Sequence, residues 1–98
     1  MNAPTTVIVH FHAKPGKADA LRQFILPAIP RLTELRGCRG GSLFNDLDDP
    51  LLFVLVEHWD SKEAHLAFID QIESDGTMAD MEPLLARPPA RRYLGASK

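Results

Sequence analysis

A single cysteine, Cys38, is the whole thiol content of the chain, which excludes an internal disulfide and fits a reducing compartment. Tryptophan and tyrosine are equally scarce, one of each, so any aromatic group with a polar handle must be Trp59 or Tyr93. No charge sign prevails: eleven basic against thirteen acidic residues leave a formal net charge of -2. Nothing clusters densely enough to follow a phosphate backbone, so nucleic acid is excluded as a partner. No apolar run reaches bilayer-spanning length and no secretory pattern opens the chain, so a cytoplasmic protein without a membrane partner is expected. Internal repeats are also missing.

What is present suits one ordinary globular domain. The 98 residues allow a single modest core, and we expect one domain over 1–98 with an ordered core of about 5–95. The most informative stretch is Leu51 to Phe68. Its first six residues, Leu51-Leu52-Phe53-Val54-Leu55-Val56, carry no polar side chain on either parity. A strand alternates its side chains between two faces, so this one must be covered on both. A chain this short covers one face of its sheet with its own helices. The simplest cover for the other is a second copy.

Thr5 to Ala13 is β-branched and aromatic, with Val7, Val9 and Phe11 on one face and Ile8, His10 and His12 on the other. It reads as the first strand, ended by the turn Lys14-Pro15-Gly16-Lys17. Ala18, Leu21, Ile25, Ala28, Leu32 and Leu35 then mark one face of a helix. Pro27 and Pro30 predict a bend between Phe24 and Pro30, and Gly37 closes the helix. Cys38 to Phe44 is a strand whose glycines suggest a bulge or close backbone approach. A polar loop, Asn45 to Pro50, leads into the third strand, Leu51 to Trp59. Asp60 with Glu63 predicts a capping-box start to a second helix over Ser61 to Ser74. A short helical turn follows within Thr77 to Ala86, and Ala90 to Gly95 is the last strand.

The order strand, helix, strand, strand, helix, strand predicts an α+β ferredoxin-like βαββαβ fold, an antiparallel four-stranded sheet with helices on one face. The two most apolar strands, first and third, belong in the centre, where we expect them to run in the same direction. The second and fourth belong at the edges, where their glycines, arginines and prolines are tolerated.

Several pieces, in this order and spacing, resemble a known family. They are Lys14-Pro15-Gly16-Lys17, then Leu35-Arg36-Gly37-Cys38, then Val56-Glu57-His58-Trp59 followed by Ser61-Lys62-Glu63-Ala64. Together they resemble the antibiotic biosynthesis monooxygenase (ABM) domain over about residues 6–94. The resemblance implies a homodimeric α+β barrel, two ferredoxin-like sheets face to face, with a small apolar pocket between sheet and helices. Some members of that family oxidise quinols or polycyclic phenols with molecular oxygen and no flavin or metal, so no cofactor is expected. The haem-degrading branch carries an Asn, a Trp and a His at positions that are Val9, Phe68 and about Met78 here, so no axial ligand remains. RNA-recognition domains share the outline, but their third strand needs exposed aromatics among basic residues, which Leu51 to Val56 lacks.

Oxygenation without a cofactor needs an electron-rich phenol or hydroquinone, a base to take its proton, and positive charge near the resulting anion. Ala64, His65, Phe68, Ile69 and Ile72 share one arc of the second helix, which makes His65 the candidate base. The plainer reading is a helix histidine satisfied by one hydrogen bond. Arg91 and Arg92, on opposite parities of the last strand, offer the anion partner, or else simply a solvated edge. Trp59 stands as pocket wall or as core. Glu57, on the same parity, either orients a catalytic group or pairs with an arginine. With Val9, Phe11, Phe68 and Ile72 these residues make up the expected pocket.

His10, His12 and His58 are a weaker alternative, a divalent-metal site, if the third strand ends beside the first; a place at the dimer rim is the plainer one. Asp46, Asp48 and Asp49 lack the glycine and distal glutamate of a calcium loop. The sequence thus points to a cofactor-independent monooxygenase acting on a small aromatic or quinol-like molecule. A non-catalytic dimer that binds a hydrophobic metabolite is the alternative from another class.

Overall fold

The computed structural model describes residues 3–97. Met1, Asn2 and Lys98, which the expected domain of 1–98 includes, lie outside the described residues. The elements are β1 (Thr5–His12), α1 (Ala18–Ile25) with a 3-10 stretch (Leu26–Glu34), β2 (Cys38–Asn45), β3 (Leu52–Trp59), α2 (Lys62–Ser74), α3 (Thr77–Met81) with a 3-10 turn (Glu82–Leu84), and β4 (Ala90–Leu94). This is the ferredoxin-like α+β arrangement, with strand order β2-β3-β1-β4.

Every neighbouring pair is antiparallel, including β1 with β3, which corrects the expectation that the two central strands run the same way. The reason is topological. The helical crossover from β1 returns the chain to start β2 in β1's direction, and the β2–β3 hairpin then reverses it. A strand inserted between β1 and β2 must run against both.

Alternation sorts the side chains as the sequence pattern suggests. Val7, Val9 and Phe11 of β1 and Phe53, Leu55, Glu57 and Trp59 of β3 are buried under the helices. Their alternates, Ile8, His10 and His12 with Leu52, Val54 and Val56, are half-buried on the opposite face. Within one chain β3 is therefore covered on one side only.

The first helix does not bend as a single α-helix. It is α-helical through Ile25 and becomes 3-10 from Leu26, because Pro27 and Pro30 lack the N–H groups that i→i−4 bonding needs. Leu21, Ile25 and Leu32 remain buried across the change. Gly37 then turns the chain at φ +85°, and a Cβ there would lie 2.8 Å from the Ala64 Cβ, so glycine is required for α2 to pack this close. The expected bulge falls between Cys38 and Gly40.

The cap of α2 is Ser61, whose Oγ accepts from the Ala64 N–H at 3.1 Å, and not Asp60 as the capping-box pattern suggested. Asp60 instead accepts from Arg39 Nε at 2.6 Å. At the far end, Asp75 accepts from the N–H and hydroxyl of Thr77, which starts α3 and holds the Asp75 carboxyl below its usual value. The following segment is tied to the end of β1 by Lys14 N–H to Leu84 O (2.9 Å) and Ala86 N–H to His12 O (2.7 Å). These bonds fold α3 and its turn over the sheet. Among the described residues no helix is long and apolar enough to cross a membrane.

Candidate active site

Under α2, α3 and the 3-10 stretch, against the covered face of the sheet, lies a cavity of about 390 Å³. That size suits a small organic ligand. Val9 and Phe11 of β1 and Leu55 and Glu57 of β3 form its floor, since each sits on the parity that faces the helices. His65, Phe68, Ile69 and Ile72 descend from α2, while Phe24, Ile29, Met78 and Met81 close the remaining sides. Arg91, exposed on edge strand β4, reaches the rim, as does Glu73 of α2.

The polar groups on the inner wall are Glu57 and His65, only 2% and 1% exposed, so water screens them poorly. His65 Nε2 lies 3.5 Å from Glu57 Oε1, and Trp59 Nε1–H donates to that same oxygen at 3.3 Å. On its other side His65 Nδ1 is 2.8 Å from the Tyr93 hydroxyl. The imidazole is wedged edge-on against Trp59, with ring centroids 5.2 Å apart, and against Phe68 and Tyr93. The buried Glu57 carboxyl thus accepts from Trp59 and lies beside the imidazole, which is packed among three aromatic rings. Burial raises the Tyr93 hydroxyl above its usual value, an effect that Arg91 opposes and Glu57 adds to. Burial likewise pushes the Cys38 thiol up, so it is no ready nucleophile.

Of the residues picked out from sequence, the structure brings Val9, Phe11, Glu57, His65, Phe68, Ile72 and Arg91 to one cavity. Two lie elsewhere. Trp59 does not reach the cavity as a pocket wall; it is sealed behind Glu57 and His65 as their packing partner and donor. Arg92 pairs opposite Ile8 and belongs to the open face of the sheet, which removes it as an anion partner inside the cavity. Alternation forces this choice, because Arg91 and Arg92 are adjacent.

The histidine triad also separates. His58 lies opposite Thr6, whereas His10 and His12 lie opposite Val54 and Leu52. Thr6 and His10 are four residues apart on β1, about 13 Å at strand rise, too far for one ion. The antiparallel register places His58 and His12 at opposite ends of the sheet. Among the described residues no three His, Cys, Asp or Glu side chains converge.

Sequence reasoning missed the Tyr93 contact and the lining by Phe24 and Ile29. Tyr93 shares the parity of Arg91, but only the pairing of Val7 with both Glu57 and Tyr93 puts β4 within reach of His65. Ile29 becomes inward-facing because a 3-10 stretch repeats every three residues and aligns it with Leu32.

Comparison with known proteins agrees with this architecture. The family profile described as antibiotic biosynthesis monooxygenase matches residues 4–71. The structure of Rv0793 from Mycobacterium tuberculosis superposes with a TM-score of 0.83 at 27% identity, over 98% of this chain and 97% of that one. PA3566 from Pseudomonas aeruginosa gives a TM-score of 0.78 at 24% identity, over 100% and 98% of the two chains. NE2512, a protein of unknown function from Nitrosomonas europaea, gives 0.78 at 24% identity, over 97% and 92%. No curated protein matches the sequence.

Proposed function

The chain belongs to the antibiotic biosynthesis monooxygenase family, and from that premise we propose that it oxidises a small phenolic or quinol-like molecule with molecular oxygen, without a bound cofactor, as a homodimer. The observation that carries the reading is the cavity itself: an apolar chamber of about 390 Å³ whose inner wall holds a fixed Glu57–His65 pair. An apolar chamber suits an aromatic ring. A proton acceptor at its inner wall suits the hydroxyl that must ionise.

The chemistry balances with substrate and oxygen alone. The hydroxyl proton passes to the Glu57–His65 pair, and the phenolate gives one electron to oxygen. Phenoxyl radical and superoxide then join at a ring carbon that bears hydrogen. The resulting peroxide anion takes the proton back from the Glu57–His65 pair, and the hydroperoxide loses water and leaves a carbonyl, so the substrate supplies the electrons that reduce the departing oxygen atom. Arg91 at the rim adds positive charge near the anionic stages.

Dimerisation is supported by the open face of the sheet, where Ile8, Leu52, Val54 and Val56 form a continuous apolar stripe, only half-buried among the described residues.

Oxygen uptake with a panel of hydroquinones and naphthols tests the reading. We expect uptake by the wild type and a loss on the order of a hundredfold in His65→Ala, with binding of the same compounds retained. Binding across the panel without any uptake would instead establish a non-catalytic protein that holds hydrophobic metabolites.

A further inference from the structure

Which atom takes the proton follows from counting lone pairs. Imidazole has two ring nitrogens, and both already face protein partners: Nδ1 the Tyr93 hydroxyl at 2.8 Å, Nε2 the Glu57 carboxylate at 3.5 Å. With its proton on Nε2, toward the carboxylate, the ring accepts at Nδ1 from the Tyr93 O–H. It then has no free lone pair to offer a substrate. Glu57 is different. Its Oε1 carries both the Trp59 N–H and His65 contacts, whereas Oε2 has no hydrogen-bond partner among the described residues. No fully sealed side-chain oxygen or nitrogen is left without a partner among the described residues, so Oε2 must be open, and the space Glu57 lines is the cavity.

Resting on the phenol-oxidising reading above, we propose that Glu57, through Oε2, is the catalytic base that takes the substrate's hydroxyl proton, and that His65 is a positioning residue that fixes the carboxylate. In that step the substrate O–H bond breaks and an H–Oε2 bond forms. The electron pair stays on the phenolate oxygen, and the total charge inside the cavity does not change. A specificity follows. The substrate must arrive as a neutral hydroxyl donor, because a carboxylate or a preformed phenolate at the inner wall would sit against a buried anion. The other ionisable groups around Glu57 are His65 on α2, Tyr93 and Arg91 on β4, and Cys38 on β2, with Glu73 at the rim. Facing it from β1 and from the 3-10 stretch are apolar side chains, Val9 and Leu32.

Titration of 4-nitrophenol bound to the full-length protein separates the two candidate bases, because its visible band reports phenol against phenolate without any turnover. A neighbouring carboxylate keeps the bound probe protonated, so its ionisation midpoint rises by about one pH unit or more above that of the free probe. Glu57→Gln, which keeps the shape and an acceptor for Trp59, brings the midpoint down to what desolvation in the apolar cavity alone sustains, at least about half a pH unit below the wild type. His65→Gln retains most of the rise. A midpoint lowered in the wild type, or one that Glu57→Gln leaves unmoved, overturns the assignment to Glu57 and leaves the phenol cavity standing. If calorimetry shows no binding of the probe to the wild type, the cavity reading falls together with the assignment.

Discussion

Tyr93 gives His65 a hydroxyl partner from an edge strand, 2.8 Å from Nδ1. Removing the hydroxyl in Tyr93→Phe leaves a deeply buried ring nitrogen without a partner. The expected cost is about 1 kcal/mol, at the low end for a lost buried hydrogen bond because Tyr93 itself is half-buried. Urea denaturation at neutral pH measures it. Tyr93 also has an alkaline consequence. Its folded pKa is raised, chiefly by burial, so the folded state holds the proton more tightly than the unfolded chain does. The associated stability is complete below the ordinary value of 10.0 and declines as pH rises from there through the folded value. Cys38 acts in the same direction from its ordinary 9.0. Stability curves in Cys38→Ala and Cys38→Ala/Tyr93→Phe backgrounds isolate the tyrosine contribution. The double variant should show the flatter alkaline limb.

At the scale of elements, the start of α2 distinguishes a pattern from a mechanism. Asp60 followed by Glu63 has the spacing of a capping box, yet the oxygen that meets the Ala64 N–H belongs to Ser61. Ser61 is 3% exposed, and Asp60 points outward to Arg39 in a pair whose side chains are 46% and 60% exposed. Ser61→Ala should therefore cost about 1 kcal/mol of folding stability, the usual value of a lost N-cap. Asp60→Ala should cost less, because solvent screens an exposed ion pair. Equal losses in chemical denaturation would mean that Asp60 shares the cap.

Strand existence and alternation were legible in the sequence because β-branched residues at period two have one way to bury. The 3-10 stretch was legible only as disruption. Pro27 and Pro30 announce that the α-helix cannot continue, but apolar spacing alone does not say which geometry replaces it. The inward turn of Ile29 depends on that geometry.

For the whole molecule, the direction of one strand decided which site candidates survived. His10, His12 and His58 are neighbours only if β1 and β3 run in the same direction, and the antiparallel register dissolves the cluster. Glu57 and His65 lie eight residues apart in the chain, one on a strand and one on a helix, and no periodicity announces their meeting. Gly37 contributes to it, because its missing side chain lets Ala64 of α2 pack against the turn before β2, beside Trp59.

The open sheet face carries the last consequence. Val54 sits near its centre, opposite His10 and beside Phe44. A carboxylate at position 54 can point into water in a lone chain, so Val54→Glu should fold normally by circular dichroism. Between two such faces it would be buried against its symmetry mate. The wild type should then sediment as a dimer at micromolar concentration and Val54→Glu as a monomer, each with a fold-typical spectrum. A wild type that sediments as a single chain would remove the second copy as the cover for β3, and a dimer that persists in Val54→Glu would move the interface off this face.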